Sequence, residues 1–183
     1  MTEALYSCVL ASPVGVLTLV ATDRGLRAVL WDDDGEAQRV RHLDGVLPDP
    51  AQLDPAHPDP ARPDPAHPVL AVAVAELGEY FAGTRMAFSV PLDVVGTVFQ
   101  RSAWDALSTI PFGSTVSYLE QARRLGNPKA VRAVGGANGR NPVSIIVPCH
   151  RVVGANGALV GFAAGVDAKA WLLDHERAVL ARS

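Results

Sequence analysis

Residues 117–153 read SYLEQARRLGNPKAVRAVGGANGRNPVSIIVPCHRVV, and the architecture is decided there. Ser117–Leu125 has the spacing of a short helix that stops at Gly126. Asn127-Pro128 opens the next helix, with proline at the first helical position, where its missing N–H does no harm. That helix runs through Lys129, Val131, Arg132 and Val134 towards Gly135-Gly136. Two short helices about a Gly-Asn-Pro turn outline a helix-turn-helix. Val143–Val147 is expected to be a short apolar strand that delivers Pro148-Cys149-His150-Arg151.

Upstream, Val98–Thr109 carries Phe99, Ala103 or Trp104, and Leu107 at helical spacing and stops at Pro111. Downstream, a glycine-rich loop (Gly154, Gly157, Gly161, Gly165) leads to a closing helix from about Asp167, with Trp171, Leu172, His175 and Glu176. The amino-terminal half reads differently. Leu5–Leu10, Val16–Ala21 and Leu26–Trp31 are β-rich runs parted by turn residues, an antiparallel meander. Leu70, Val74, Leu77 and Phe81 then mark an amphipathic helix ending near Gly83, and Ala87–Val90 has the composition of one more strand. The fold class is therefore α+β. A small antiparallel sheet with a covering helix occupies 1–96, and a helical unit with the helix-turn-helix and the active site occupies 97–183. Residues 49–68 repeat Asp-Pro-Ala, a proline density that no helix or sheet tolerates, and are expected to be an exposed, mobile insertion.

With 49% hydrophobic and 19% charged residues, the chain has the makings of a core and not of a disordered segment. No apolar run approaches the roughly 20 residues that span a bilayer. Met1–Tyr6 lacks the basic cluster of a signal peptide, so a cytoplasmic location is expected, at the nucleoid or in a nucleus. Cys8 and Cys149 are expected as free thiols, and the five histidines show no metal-ligand spacing. Charge is uneven. Residues 1–96 hold 6 Lys+Arg against 14 Asp+Glu, net −8, whereas 97–183 hold 10 against 5, net +5, so a polyanion would meet the second half.

A cysteine is a strong nucleophile only as its thiolate, so a reactive one needs a base or a positive field nearby. His150 and Arg151 follow Cys149 directly, and His150 acts either directly or through a bridging water. A histidine in that role needs an acceptor on its other ring nitrogen, which Glu176 or Asp174 can supply. On these residues alone, a structural Cys-His pair stands beside the catalytic one.

The segment Pro148-Cys149-His150-Arg151-Val152-Val153 resembles the acceptor-cysteine signature of the O6-alkylguanine-DNA alkyltransferases, the methylated-DNA–protein-cysteine methyltransferase family. Phe112-Gly113, Ser117-Tyr118, Gly126–Ala137, Asn141-Pro142, Lys169, Trp171-Leu172-Leu173 and His175-Glu176 extend the likeness in order. It is close over 97–178 and loose over 1–96, where Ser12-Pro13, Gly15 and Arg24-Gly25-Leu26 carry it. The resemblance implies irreversible, single-use transfer of an alkyl (methyl) group to Cys149. The donor is O6-alkylguanine in DNA, with O4-alkylthymine as a further candidate.

By the same resemblance, His150 is the water-linked base, Glu176 orients it, and Asn141 braces the turn between DNA-binding helices and active site. Arg132 enters the base stack, and Tyr118 helps turn the nucleotide out and then contacts the flipped base. Lys129, Ala130, Ala133, Gly135 and Arg140 meet the DNA. Main-chain groups of Cys149, Val152 and Ala163 line the guanine pocket, with Phe162 and Ala164 at its mouth. The implied partner is alkylated double-stranded DNA, approached from the minor groove by a monomer without membrane, obligate protein partner, cofactor or metal. Ala164 and Phe162 stand where the family often has glycine and tyrosine, which leaves the range of bulky adducts open. Three rivals exist: a non-catalytic lesion binder that flips the damaged base, a helix-turn-helix transcription regulator, and a thiol hydrolase.

Overall fold

Two-residue turns between β-rich runs make a three-stranded antiparallel meander, in the order β1 (Tyr6–Ser12), β2 (Gly15–Thr22), β3 (Gly25–Trp31). The computed structural model describes residues 4–31 and 67–182. These belong to two compact units, Met1–Val95 and Gly96–Ser183. In the first unit Ser12 pairs with Gly15 and Thr22 with Gly25, so the turn chemistry sets the register. β2 and β3 are buried over most of their length. Helix α1 (Pro68–Ala82) packs on the sheet through Leu70, Ala73, Leu77 and Tyr80. Val74 and Phe81, expected in that stripe, are only part-buried, because the stripe is rotated towards Tyr80.

The strand expected at Ala87–Val90 does not form. Glu76, buried on α1, accepts from the main-chain N–H groups of Ser89 (2.9 Å) and Val90 (3.0 Å), so those donors are spent on a carboxylate instead of a ladder. The segment that follows meets the sheet at an isolated parallel bridge between Leu26 and Leu92. Asp93 secures it there, accepting from Thr22 Oγ1 at 2.7 Å and Arg27 Nη2 at 2.6 Å. Positions 49–66 of the proline-rich repeat lie outside the described residues. Its last two, His67 and Pro68, are not part of an excursion: Pro68 starts α1, and the buried His67 ring stacks on Tyr6 with centroids 4.0 Å apart.

In the second unit, α2 (Val98–Ser108) opens with a reciprocal cap between Thr97 and Gln100 and buries Ala103, Trp104 and Leu107. A two-residue strand, β4 (Val116–Ser117), precedes α3 (Tyr118–Arg124). The helix expected from Pro128 starts as a 3₁₀ turn, Pro128–Ala130, and becomes regular only in α4 (Val131–Asn138). Gly126, at φ 73°, makes the turn between α3 and α4. β4 pairs in parallel with β5 (Val152–Val153), a contact that period and composition do not signal. The closing helix α5 spans Gly165–Leu180, two residues longer at its start than expected.

The two helices of the helix-turn-helix are locked by a buried amide pair. Gln121 Nε2 donates to Asn138 Oδ1 (3.0 Å) and Asn138 Nδ2 to Gln121 Oε1 (2.7 Å). Trp104 Nε1 donates to the Ala137 carbonyl at 2.9 Å, tying α2 to the same end of α4. Removing Asn138 leaves Gln121 Oε1 without its donor in the core, while Nε2 keeps its bond to Ala103 O at 3.1 Å. Asn138→Ala should therefore lower unfolding free energy by about 1–3 kcal/mol in denaturant titrations. Replacing both amides by apolar residues, Gln121→Met with Asn138→Leu, should cost less than the single change.

Candidate active site

The sequence predicts a strand over Val143–Val147, but the structure has a tight reversal. Val147 N donates to Val143 O at 3.0 Å, and Ser144 bridges to Val147. Ile145 sits at φ 76° within it, the one non-glycine residue with positive φ among those described. A buried β-branched residue there is strained, a condition that persists only where the surroundings enforce it. Asn141 does much of the enforcing: its Nδ2 donates to Val147 O (2.7 Å) and its Oδ1 accepts from Val143 N (3.1 Å). A reversal rather than a strand is thus what carries the chain to Pro148 and turns the Ser144 hydroxyl towards Cys149, 3.9 Å from Sγ.

Cys149, His150 and Arg151 form one 3₁₀ turn, all buried. The His150 ring is wholly enclosed, and its Nε2 lies 2.8 Å from Glu176 Oε1. Of the two acids offered by the closing helix, Glu176 is thus the partner, whereas Asp174 is exposed and pairs with Arg177 at 3.1 Å. His150 Nδ1 is buried without a protein hydrogen-bond partner. Glu176 also accepts from Arg151, Nε at 3.0 Å and Nη2 at 2.9 Å, and from the Gly113 main-chain N–H at 2.8 Å. Gly113 has φ 73°, in the left-handed region that favours glycine, and a Cβ on it would run into the Leu180 side chain, so glycine suits the position that brings that N–H to the carboxylate.

Burial alone would raise the Glu176 pKa, but hydrogen bonds and charge from His150 and Arg151 outweigh it and hold the group at about 2. Burial pushes the Cys149 thiol up, with Asn141, Ser144 and Lys169 pulling against it. Burial likewise pushes His150 down, against the pull of Glu176. Burial thus favours the neutral forms of Cys149 and His150, and the ionised Glu176 carboxylate fixes the ring at Nε2.

The remaining expected residues divide into two groups. Arg132, Ala133, Lys129 and Arg140 are exposed, and Ala130 and Gly135 part-buried, along α4 and the turns before and after it. Tyr118, part-buried at the start of α3, donates its hydroxyl to Val160 O at 3.1 Å, with Gly161 O at 3.4 Å. Phe162 stands edge-on to His150, ring centroids 6.5 Å apart, with Ala163 and Ala164 part-buried behind it. Of the main-chain groups expected to line a pocket, two carbonyls already accept within the protein: Cys149 O from Val152 N, and Val152 O from Lys169 Nζ at 2.6 Å.

Three contributors had no role assigned from sequence. Arg151 clamps Glu176 and also donates to Ile110 O at 2.7 Å. Ser144 faces the thiol. Lys169, fully buried, donates to Val152 O and to Val160 O (2.9 Å), the carbonyl that also receives Tyr118. A lysine among Ala168, Ala170 and Leu172 was the available sign, since a buried ammonium needs fixed acceptors. Among the described residues, no group of three or more His, Cys, Asp or Glu side chains could hold a metal, and no helix is long and apolar enough to cross a membrane.

Residues 98–178 match the family model described as 6-O-methylguanine DNA methyltransferase, DNA binding domain. Residues 4–94 match its companion, 6-O-methylguanine DNA methyltransferase, ribonuclease-like domain. A methylated-DNA–protein-cysteine methyltransferase of Methanosarcina acetivorans is 57% identical over 104 residues, which cover 57% of this chain and 67% of that protein. The crystal structure of Mycobacterium tuberculosis O6-methylguanine methyltransferase is similar at TM-score 0.75 and 40% identity, covering 96% of this chain and 94% of that one. The Mycobacterium tuberculosis protein in complex with DNA reaches TM-score 0.78 at 38% identity, over 95% and 94% of the two chains.

A carboxylate held at about 2 in the folded state, against an ordinary 4.5, stabilises the fold fully above about pH 4.5 and loses that contribution as pH falls through 2. Glu176→Gln should be less stable than the parent at neutral pH. In urea titrations at stepped pH, the gap should stay constant down to about 4.5 and then close towards 2.

Proposed function

The chain belongs to the 6-O-methylguanine DNA methyltransferase family, and we propose that it repairs alkylated DNA by taking the alkyl group of O6-alkylguanine onto Cys149. The observation that carries this reading is the buried turn of Cys149 and His150, with His150 Nε2 held 2.8 Å from the Glu176 carboxylate.

An alkyl carbon on guanine O6 is shielded inside a duplex, so the nucleotide must first be turned out of the stack. Unstacking costs a few kcal/mol, less for a poorly paired lesion, and a wedge offsets part of it. Arg132, exposed on α4, is suited to be that wedge, while Lys129 and Arg140 attract phosphates. Ala133 and Gly136 on the outer face let main chain approach DNA closely, which suits a sequence-tolerant contact in the minor groove.

His150, oriented by Glu176, takes the thiol proton through its Nδ1 side, with a water as bridge. The sulfur lone pair then attacks the alkyl carbon, the carbon–oxygen bond breaks, and its electrons stay with guanine. Guanine leaves more readily if its ring gains a proton, and the Tyr118 hydroxyl is the donor we assign. Tyr118 must then exchange its bond to Val160 O for one to the base. The product is a thioether with no easy hydrolysis, so each molecule acts once, with no cofactor. O4-alkylthymine presents the same alkyl–oxygen bond and is a second substrate. DNA binding and chemistry reside in 97–183, and a single copy suffices.

Intact mass after incubation with an O6-methylguanine duplex should rise by one methyl group per molecule and then stop, with the modified peptide containing Cys149. Cys149→Ser should transfer nothing while its gel-shift titration stays close to the parent's. An undiminished methyl gain in that variant would remove Cys149 from the mechanism.

Arg132→Ala should slow single-turnover repair of the duplex at least about tenfold, the equivalent of ~1.4 kcal/mol of lost support for the extruded base. Reaction with the free alkylated base should barely change. Equal loss on both substrates would place Arg132 in the chemistry instead.

A further inference from the structure

The chain has four asparagines, Asn127, Asn138, Asn141 and Asn156, and their surroundings sort them by one reaction. An asparagine side chain loses ammonia when the main-chain nitrogen of the next residue attacks its carbonyl carbon. Asn127 and Asn141 precede Pro128 and Pro142, whose ring nitrogens carry no hydrogen and cannot close that ring. Asn138 precedes Gly139, but it is buried and its amide is held on both sides by Gln121, at 3.0 and 2.7 Å. Gly139 N is further occupied by Gly135 O at 3.0 Å.

Asn156 precedes Gly157 in an exposed loop, and there the environment favours reaction. Its side-chain oxygen accepts from Ala158 N at 3.1 Å, which folds the side chain back along Gly157. The same hydrogen bond polarises the carbonyl and supports the negative charge that grows on oxygen during attack. Gly157 has no Cβ to block the approach, and the space where one would stand is empty to 4 Å. The opposing feature is that Gly157 N donates to Gly154 O at 2.9 Å. That bond lies in an exposed turn, where water replaces it at little cost.

We propose that Asn156 is a spontaneous modification site, converting to aspartate and isoaspartate through a cyclic imide with water as the only co-reactant. The Gly157 nitrogen bonds to the Asn156 side-chain carbon, ammonia departs, and water opens the ring at either carbonyl. Opening at one restores the main chain with an aspartate. Opening at the other routes the main chain through the former side chain and adds a methylene to a loop closed by Gly154 N to Ala158 O at 2.8 Å. Both products lower the +5 balance of residues 97–183 by one charge. The proposal stands independently of alkyl transfer.

The test is ageing of the full chain in mildly alkaline buffer, beside a synthetic peptide of residues 152–160, with digestion and mass spectrometry of time points. The Asn156 peptide should accumulate both acidic products at a rate within about tenfold of the free peptide, the cost of opening one exposed hydrogen bond. The Asn138 peptide should stay unchanged. Asn156→Gln, whose longer side chain closes a less favourable ring, should show no new acidic band on isoelectric focusing over the same period. Intact Asn156 after the free peptide has converted would overturn the proposal, as would conversion of Asn138 at a comparable rate.

Discussion

A single buried carboxylate organises the second unit. Glu176 receives the His150 ring, two guanidinium nitrogens of Arg151 and the main-chain N–H of Gly113. The carboxylate stands on the closing helix and its partners on the cysteine turn and the loop after α2, so it is where three segments agree on their positions. Burying a charge in this way is tolerable only because every lone pair is matched and Arg151 supplies the countercharge. The same matching explains why His150 cannot rotate: its ring is enclosed, and one nitrogen is fixed. The orientation of the His150 ring is thus settled by the fold itself and needs no substrate to arrange it.

The second constraint is geometric. The segment from Asn141 to Cys149 must reverse direction in very few residues, and the cost appears at Ile145, held at φ 76°. Asn141 closes that reversal with both ends of its amide. It also directly follows the turn that ends α4, where Asn138 is locked to Gln121. The end of α4 and Cys149 are thus joined by a short segment that Asn138 and Asn141 pin by hydrogen bonds.

Much of this was legible in the chain. The helix-turn-helix followed from Gly126, Pro128 and the spacing of apolar residues, and the meander from its two-residue turns. The pairing of His150 with a carboxylate on the last helix was expected, with Glu176 and Asp174 both open. What sequence period could not show was competition for backbone donors. Val143–Val147 and Ala87–Val90 both have strand composition, yet Asn141 and Glu76 take the N–H groups that a ladder would need. Side-chain capture of this kind is non-local, and alternation carries no sign of it. Arg151 was hidden for a related reason: beside a reactive cysteine it reads as general positive charge, and only the fold reveals that its charge is spent on Glu176.

Trp104 and Gln121 grip the same end of α4, through the Ala137 carbonyl and the Asn138 amide. The opposite end begins in a 3₁₀ turn and carries the exposed Arg132. Mechanically this is a lever with its fulcrum at the inner end. A load applied at the outer tip is not absorbed by bending of the helix, because a helix of eight residues is stiff. It arrives instead as torque on the few bonds beyond Asn138, where Asn141 sits. On the function proposed above, a duplex held at Arg132 would pull on the segment that seats the sulfur.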